Sequence, residues 1–382
     1  MVTDNRAAGF SLKDQLFNRD RIEYLAGLFA EADSGFQHER FVRDSMKGLS
    51  RLELKERIVH LAAQLEKHLS PDFAVAARQI TDALPPPLDP KKTDDDFGDF
   101  IFAPLGEFVV RNGLEKKHLN RSLRTLKALT QRFSMEDAIR ALIDTHPEKT
   151  LAELEKWAGH KHYHVRRLVS EGTRPKLPWS KRLSIDATVP LPLLDRLHAD
   201  PTRYVTRSVA NHLNDLTKSH PELVLETLAR WKKAGKQDEP ELRWMSKHAL
   251  RTLIKQGSTD ALRFLGYRPD PKIEVGGYEL ARSEIRPGQA IELSFTVSAH
   301  RDESLMIDYV IDFVKANGTL AAKVHKLKQI ELAKGESKTI RKRHVLRANA
   351  TTYTLYPGTH HVTLQINGQA FGTLPFELLA SS

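Results

Sequence analysis

The apolar positions of this chain follow two periods, and the change from one to the other divides it. Up to Gly266 they recur at spacings of three and four, which predicts helices; beyond Tyr267-Arg268-Pro269-Asp270-Pro271 they alternate, which predicts strands. Leu12, Leu16, Ile22, Leu25 and Phe29 mark the first apolar faces. Residues 49–69 read as one longer helix whose charged side carries Glu53, Lys55, Glu56 and Arg57. Leu84-Pro85-Pro86-Pro87 closes this block, and the polar run Asp89 to Asp99 reads as a loop. Within it, Asp94-Asp95-Asp96 suits a solvated loop or a helix cap better than a metal site.

The second helical block contains a repeat. His146-Pro147-Glu148 precedes Leu151, Leu154 and Trp157, and 74 residues later His220-Pro221-Glu222 precedes Leu225, Leu228 and Trp231. Tyr163 to Arg167 aligns with Tyr204 to Arg207 one 40-residue step on, and Glu241-Leu242-Arg243-Trp244 opens a third such helix. Helix pairs at about 40 residues predict a HEAT-like solenoid, with the leucines and tryptophans as inter-helix core.

After residue 268 the segments Ile291–Val297, Met306–Val314, Leu320–Leu327, Tyr353–Leu355, His361–Ile366 and Phe371–Leu378 read as strands. Asn317-Gly318 and Asn367-Gly368 predict type I′ hairpins. About seven strands in some 110 residues predict an immunoglobulin-like sandwich. The expected architecture is therefore mainly α: a helical-repeat domain over 1–268, then an all-β sandwich over 269–382.

Composition adds a partner class. A net charge of +10 over 382 residues favours a polyanion, and Lys323, Lys326, Lys328, Lys338, Arg341, Lys342, Arg343 and Arg347 crowd the middle of the sandwich. The absence of cysteine removes disulfide and thiolate chemistry. No apolar run nears the ~20 residues that span a bilayer, and the N-terminus lacks a signal-peptide core. No membrane association is expected, and a cytoplasmic, monomeric protein is.

The chemistry concentrates in His164 to Ser180, HVRRLVSEGTRPKLPWS. Val165, Leu168 and Val169 continue a helix, Gly172 stands where a left-handed C-cap would, and Pro175 and Pro178 prevent resumption. Glu171 faces the negative end of the helix dipole, which costs about 0.3–1 kcal/mol. Arg167 could offset this as an i,i+4 partner, giving an ordinary surface ion pair, or the acid is placed to meet a cation. Arg174, Lys176 and Trp179 then form a basic loop with one large aromatic, suited to phosphates and a flat charged base. Two further acids stand out. Asp215 lies on the helix 203–218 with Arg207, Asn211, Asn214 and Lys218, opposite the buried stripe Val205, Val209, Leu213, Leu216. Glu136 follows Ser134, a possible N-cap. His160, His162 and His164 alternate, and on a helix they would not converge on a metal.

Arg166-Arg167-Leu168, Ser170-Glu171-Gly172, Arg174-Pro175 and Leu177-Pro178-Trp179 together resemble the AlkC branch of the AlkC/AlkD alkylated-base DNA glycosylases. Residues 52–57, LELKER, and 207–216, RSVANHLNDL, extend the resemblance over roughly 10–265, and the tail is similar to the immunoglobulin-like domain of some members. The resemblance implies hydrolysis of the N-glycosidic bond of bases such as 3-methyladenine or 3-methylcytosine in duplex DNA, with the lesion stacked or only partly exposed. Such a base already carries positive charge and leaves without a general acid. Glu171 is then the first choice to stabilise the oxocarbenium-like sugar and orient water, Trp179 to wall the site, with Asp215 and Glu136 as further acids. Arg166, Arg167, Arg174 and Lys176 become phosphate contacts, with Arg207 and Asn211 as further DNA-binding donors. Of the adjacent arginines, about 100° apart on a helix, Arg167 is the one that faces Glu171. No metal or cofactor is implied. The alternative from repeats and charge alone is a non-catalytic scaffold that binds DNA or protein.

Overall fold

Amphipathic segments closed by proline, glycine and capping side chains give helices from Leu12–Leu16 to Thr259–Phe264, and alternation gives strands from Ile273 on. The computed structural model describes residues 11–92, 97–348, 350 and 353–380; the Asp94–Asp96 run lies outside these. Two compact units form. One comprises the residues up to Leu216 with Trp231–Met245, the other Thr217–Arg230 with the residues from Ser246 on.

Both copies of the tryptophan repeat are helical, over Pro147–Trp157 and Pro221–Ala234. The helix Pro147–Trp157 has proline in its first turn, where the missing N–H is harmless, and buries Leu154 and Trp157. The matching tryptophan, Trp231, is buried as well, and its indole N–H donates to Asp195 at 2.7 Å. Residues 49–69 do not form one helix. A 3₁₀ turn, Leu49–Arg51, is followed by a separate helix, Leu54–His68. The break falls where the Glu56 carboxylate accepts from the Glu53 N–H at 2.8 Å, fixing Glu53 as the start. Arg57 is not on the charged face: it is buried and donates to the carbonyls of Leu52, Lys13 and Phe17 and to Asp14.

The second unit contains the sandwich. Its strands are β1 (Ile273–Leu280), β2 (Glu284–Ile285), β3 (Ala290–Ala299), β4 (Glu303–Val314), β5 (Leu320–Leu332), β6 (Ser337–Val345), β7 (Gly358–Ile366) and β8 (Gln369–Leu378). They form a three-stranded sheet, β1-β3-β6, and a five-stranded sheet, β2-β8-β7-β4-β5. Phe295, Ile307, Ile311, Leu364 and Phe376 fill the core between them, each worth about 1.5–3 kcal/mol of burial. Asn367 and Gly368 are both left-handed, as a type I′ turn requires. At the other predicted hairpin only Gly318 is left-handed, so that turn is of another type. Residues 353–355 are not a strand. They belong to the connection that carries the chain from β6 in one sheet to β7 in the other, with Tyr353 against Phe313.

Candidate active site

The helix Tyr163–Gly172 is buried almost throughout, which is unusual for a segment with two arginines and a glutamate. It packs against Arg203–Leu216 and Glu136–Thr145. His162 caps it, its ring Nδ1 accepting the His164 N–H at 3.2 Å. Gly172 is its last residue but does not take the left-handed conformation expected of it. Its role is clearance: a Cβ there would lie 2.4 Å from Ile139 Cγ2. Gly172→Ala is therefore expected to lower stability by about 1–3 kcal/mol through overpacking, with partial recovery in the Ile139→Ala background, read as thermal midpoints.

Close packing of the three helices sets acids and bases in an alternating chain. Arg167 Nη1 donates to Glu136 Oε2 at 2.5 Å and to Ser134 Oγ at 2.6 Å, while its Nη2 lies 3.5 Å from Glu171 Oε1. Arg174 Nη1 donates to the same Glu171 oxygen at 2.6 Å, and its Nε to Asp215 Oδ2 at 2.9 Å. Ser208 Oγ donates to Glu171 Oε2 at 2.6 Å, and the Arg167 guanidinium stands 4.9 Å from the centre of the Tyr204 ring. The order is Glu136–Arg167–Glu171–Arg174–Asp215, three carboxylates against two guanidiniums.

Burial by itself pushes the Glu171 carboxyl up, but Arg167, Arg174 and the Ser208 hydroxyl outweigh it and hold the pKa below the usual range. Burial likewise opposes the charge on Arg167 and Arg174, and the carboxylates reverse it. Glu171 is thus a fixed negative charge, unsuited to donating a proton. It is also sealed, only 4% exposed, so its pairing with Arg167 is an interior ion pair and not the surface one that the spacing allows. The accessible acid is Glu136, with a side chain 29% exposed. Ser134 does not cap the helix Glu136–Thr145; Met135 occupies that position, and the Ser134 hydroxyl donates to Glu136 Oε2 at 2.8 Å.

Trp179 stands at the opposite extreme from Glu171, 77% exposed, with a left-handed backbone (φ 65°). A non-glycine residue there costs roughly 1–2 kcal/mol. Neighbouring contacts hold it: Lys55 Nζ donates to the Trp179 carbonyl, Ser180 Oγ to Asp137, and the buried Arg140 to the carbonyls of Gly172 (3.1 Å), Arg174 (2.8 Å) and Lys181 (2.7 Å).

A family model described as the C-terminal Ig-like domain of the uncharacterised protein YhaZ matches residues 274–380. The uncharacterised protein YhaZ of Bacillus subtilis (strain 168) is 32% identical over 368 residues, 95% of this chain and 98% of that protein. The solved structure of the Pseudomonas fluorescens alkylpurine DNA glycosylase AlkC, bound to DNA containing an abasic site analog, is 34% identical with a TM-score of 0.86, covering 97% of this chain and 100% of that one. This chain belongs to the AlkC family. Helical-repeat region and Ig-like sandwich are both part of the likeness, since it spans nearly the whole of each chain.

Among the candidates in this AlkC-family chain, the fold brings Glu136, Arg167, Glu171, Arg174 and Asp215 into one network. Arg166 is elsewhere: its Nε and Nη2 grip Asp200 at 2.5 and 3.0 Å, and its Nη1 donates to the His160 carbonyl at 2.8 Å. Arg167 and Arg174 spend their donors on carboxylates, so neither is the open phosphate contact expected. Lys176 is exposed, and Arg207 and Asn211 are half-buried. Asn214, expected on the polar face, is buried. Sequence reasoning missed Arg140, Tyr204, Ser208 and His212. Arg140 had a signal, a charged residue set among Ile139, Leu142 and Ile143; the other three had none beyond belonging to quoted segments, Tyr204 to the repeat and Ser208 and His212 to residues 207–216.

His212 lies fully buried beside the network, ring Nδ1 3.1 Å from the Ser170 carbonyl. Burial, with help from Arg174 and Arg140, pushes its pKa down to about 4. The unfolded chain, near 6.5, binds the proton first. Stability is therefore complete above pH 6.5 and falls by up to about 3 kcal/mol as pH drops from 6.5 to 4. Thermal midpoints should decline over that window, and His212→Gln should flatten the decline.

Proposed function

We propose that this chain is a monofunctional DNA glycosylase that hydrolyses the N-glycosidic bond of cationic N-alkylated bases, of the 3-methyladenine or 3-methylcytosine type, in duplex DNA. The carboxylate–arginine network carries the reading. A chain of net charge +10 that gathers three acids around two arginines has a local excess of negative charge inside a positive protein. That suits a polyanion bearing one cationic centre: the long-range field attracts the duplex, and the acids favour the sugar as the base departs.

In this reading Glu136 is the acid that meets substrate. Arg167 and Ser134 both bind its Oε2, which fixes the carboxylate and leaves Oε1 for the sugar or the attacking water. Glu171 stands behind it as permanent charge, and Asp215 orients Arg174. An ionised, buried Glu171 cannot act as a general acid, and an already cationic base needs none. Trp179 supplies an exposed π-face to the lesion or its sugar. Lys176, Arg207 and Asn211 are the phosphate-side donors, and the protein acts on DNA as a monomer without metal or cofactor.

The test is a mass-spectrometric inventory of bases liberated from methylated genomic DNA. Free 3-methyladenine or 3-methylcytosine, with abasic sites left uncleaved, supports the assignment. Release of neither would leave the non-catalytic scaffold as the better description.

A further inference from the structure

The strands β5 and β6 each lie at the edge of their sheet, and between them, with β4 and the connection after β6, opens a cleft of about 850 Å³. Sites for small ligands commonly measure about 300–1,000 Å³. Lys323 on β5, Lys342 on β6 and Arg347 beyond it line this cleft, and no carboxylate is among the described residues lining it. Basic residues on edge strands ordinarily serve to block sheet-to-sheet pairing. That purpose is met by charges spread along an exposed edge. It does not call for like charges from two sheets to converge on one recess, where they repel unless an anion joins them.

The floor of the recess is aromatic and incompletely bonded. The Tyr309 hydroxyl is 2.7 Å from His344 Nδ1, the His325 ring stacks on Tyr309 at 5.2 Å, and the two imidazoles are 4.6 Å apart. His325 Nε2 is buried without a hydrogen-bond partner. Burial first, and then the charges of His344, Lys323 and Lys342, press the His325 pKa down to about 4. At the rim, the Lys323 ammonium sits 5.0 Å from the centre of the Tyr353 ring. Cation, open recess and aromatic face thus occur together, and none of these residues takes part in the Glu136–Asp215 network.

We propose that this cleft binds a nucleotide, with phosphoryl oxygens meeting Lys323, Lys342 and Arg347 and the base lying against Tyr353. Two sources share that chemistry, a free nucleotide and the phosphorylated end of a nucleic-acid strand. The experiment titrates the full-length protein with ADP, pyrophosphate and adenosine separately, following the side-chain resonances of His325 and His344. Saturable shifts with ADP, weaker ones with pyrophosphate and none with adenosine are expected. The Lys323→Gln/Lys342→Gln variant, with its thermal midpoint checked against the parent, should bind ADP at least about a hundredfold less tightly, the loss of two charge-assisted contacts. Displacement of ADP by a 5′-phosphorylated single-stranded oligonucleotide would identify a strand end as the source, and failure to displace it a free nucleotide. If neither ADP nor the oligonucleotide moves the two histidine resonances, or the double variant binds ADP as well as the parent, the proposal is overturned.

Discussion

Glu136→Gln is expected to lower base excision by about 10²–10³-fold while leaving duplex affinity within a few-fold and lowering the thermal midpoint less than Glu171→Gln does. The magnitude is that of removing one preorganised group aimed at charge that develops in the transition state. The smaller stability loss follows from position: Arg167 keeps Glu171 as a charge partner, the Glu136 side chain is partly exposed, and glutamine can still accept from Arg167 and Ser134. Glu171→Gln should behave differently. Its carboxylate is sealed between Arg167 and Arg174, so neutralising it leaves two buried guanidiniums with less compensation, at a cost of about 3 kcal/mol. Excision and thermal midpoint should then fall together. Single-turnover excision of a 3-methyladenine duplex, measured beside melting curves for both variants, separates the two roles. Full activity in Glu136→Gln alongside loss in Glu171→Gln would return the substrate-facing role to Glu171.

The second large effect is expected at Arg140. Arg140→Ala opens a cavity, strands the buried carbonyls of Gly172 and Arg174 and releases that of the exposed Lys181. Each unsatisfied group costs about 1–3 kcal/mol, so a loss of about 3–5 kcal/mol is expected. The three carbonyls bracket the loop that presents Arg174 and Trp179. Excision should therefore fall even at temperatures where the variant is fully folded, and Arg140→Lys should recover only part of it, because an ammonium cannot reproduce the planar fork. Near-complete rescue by lysine in both midpoint and excision would show that charge alone is required and that the loop is held by other means.

Arg140 also shows why the loop could not be read from the sequence. A guanidinium on one helix organises carbonyls 32 to 41 residues away, and no local pattern encodes that distance. The same holds for Glu171. Its place in the last turn of a helix, with Arg167 four residues before, is legible in sequence and is correct as an i,i+4 neighbourhood. That the pair lies under Tyr204 and Ser208, one repeat further on, depends on helix packing. The ion pair that the spacing allows at the surface is thus an interior one, and the exposed acid is Glu136.

The sequence by itself determined the division into helices and strands, the 74-residue recurrence with its buried tryptophans and, as a resemblance, the string of residues around Glu171 that marks the family. These properties are local or nearly so, because each follows from spacing along one element and from which side chains avoid water. Tertiary structure decided which charges meet, which of three acids faces solvent, and why Gly172 must lack a side chain. Those outcomes depend on distances of a few ångströms between helices that are far apart in the chain, and burial multiplies their electrostatic consequences.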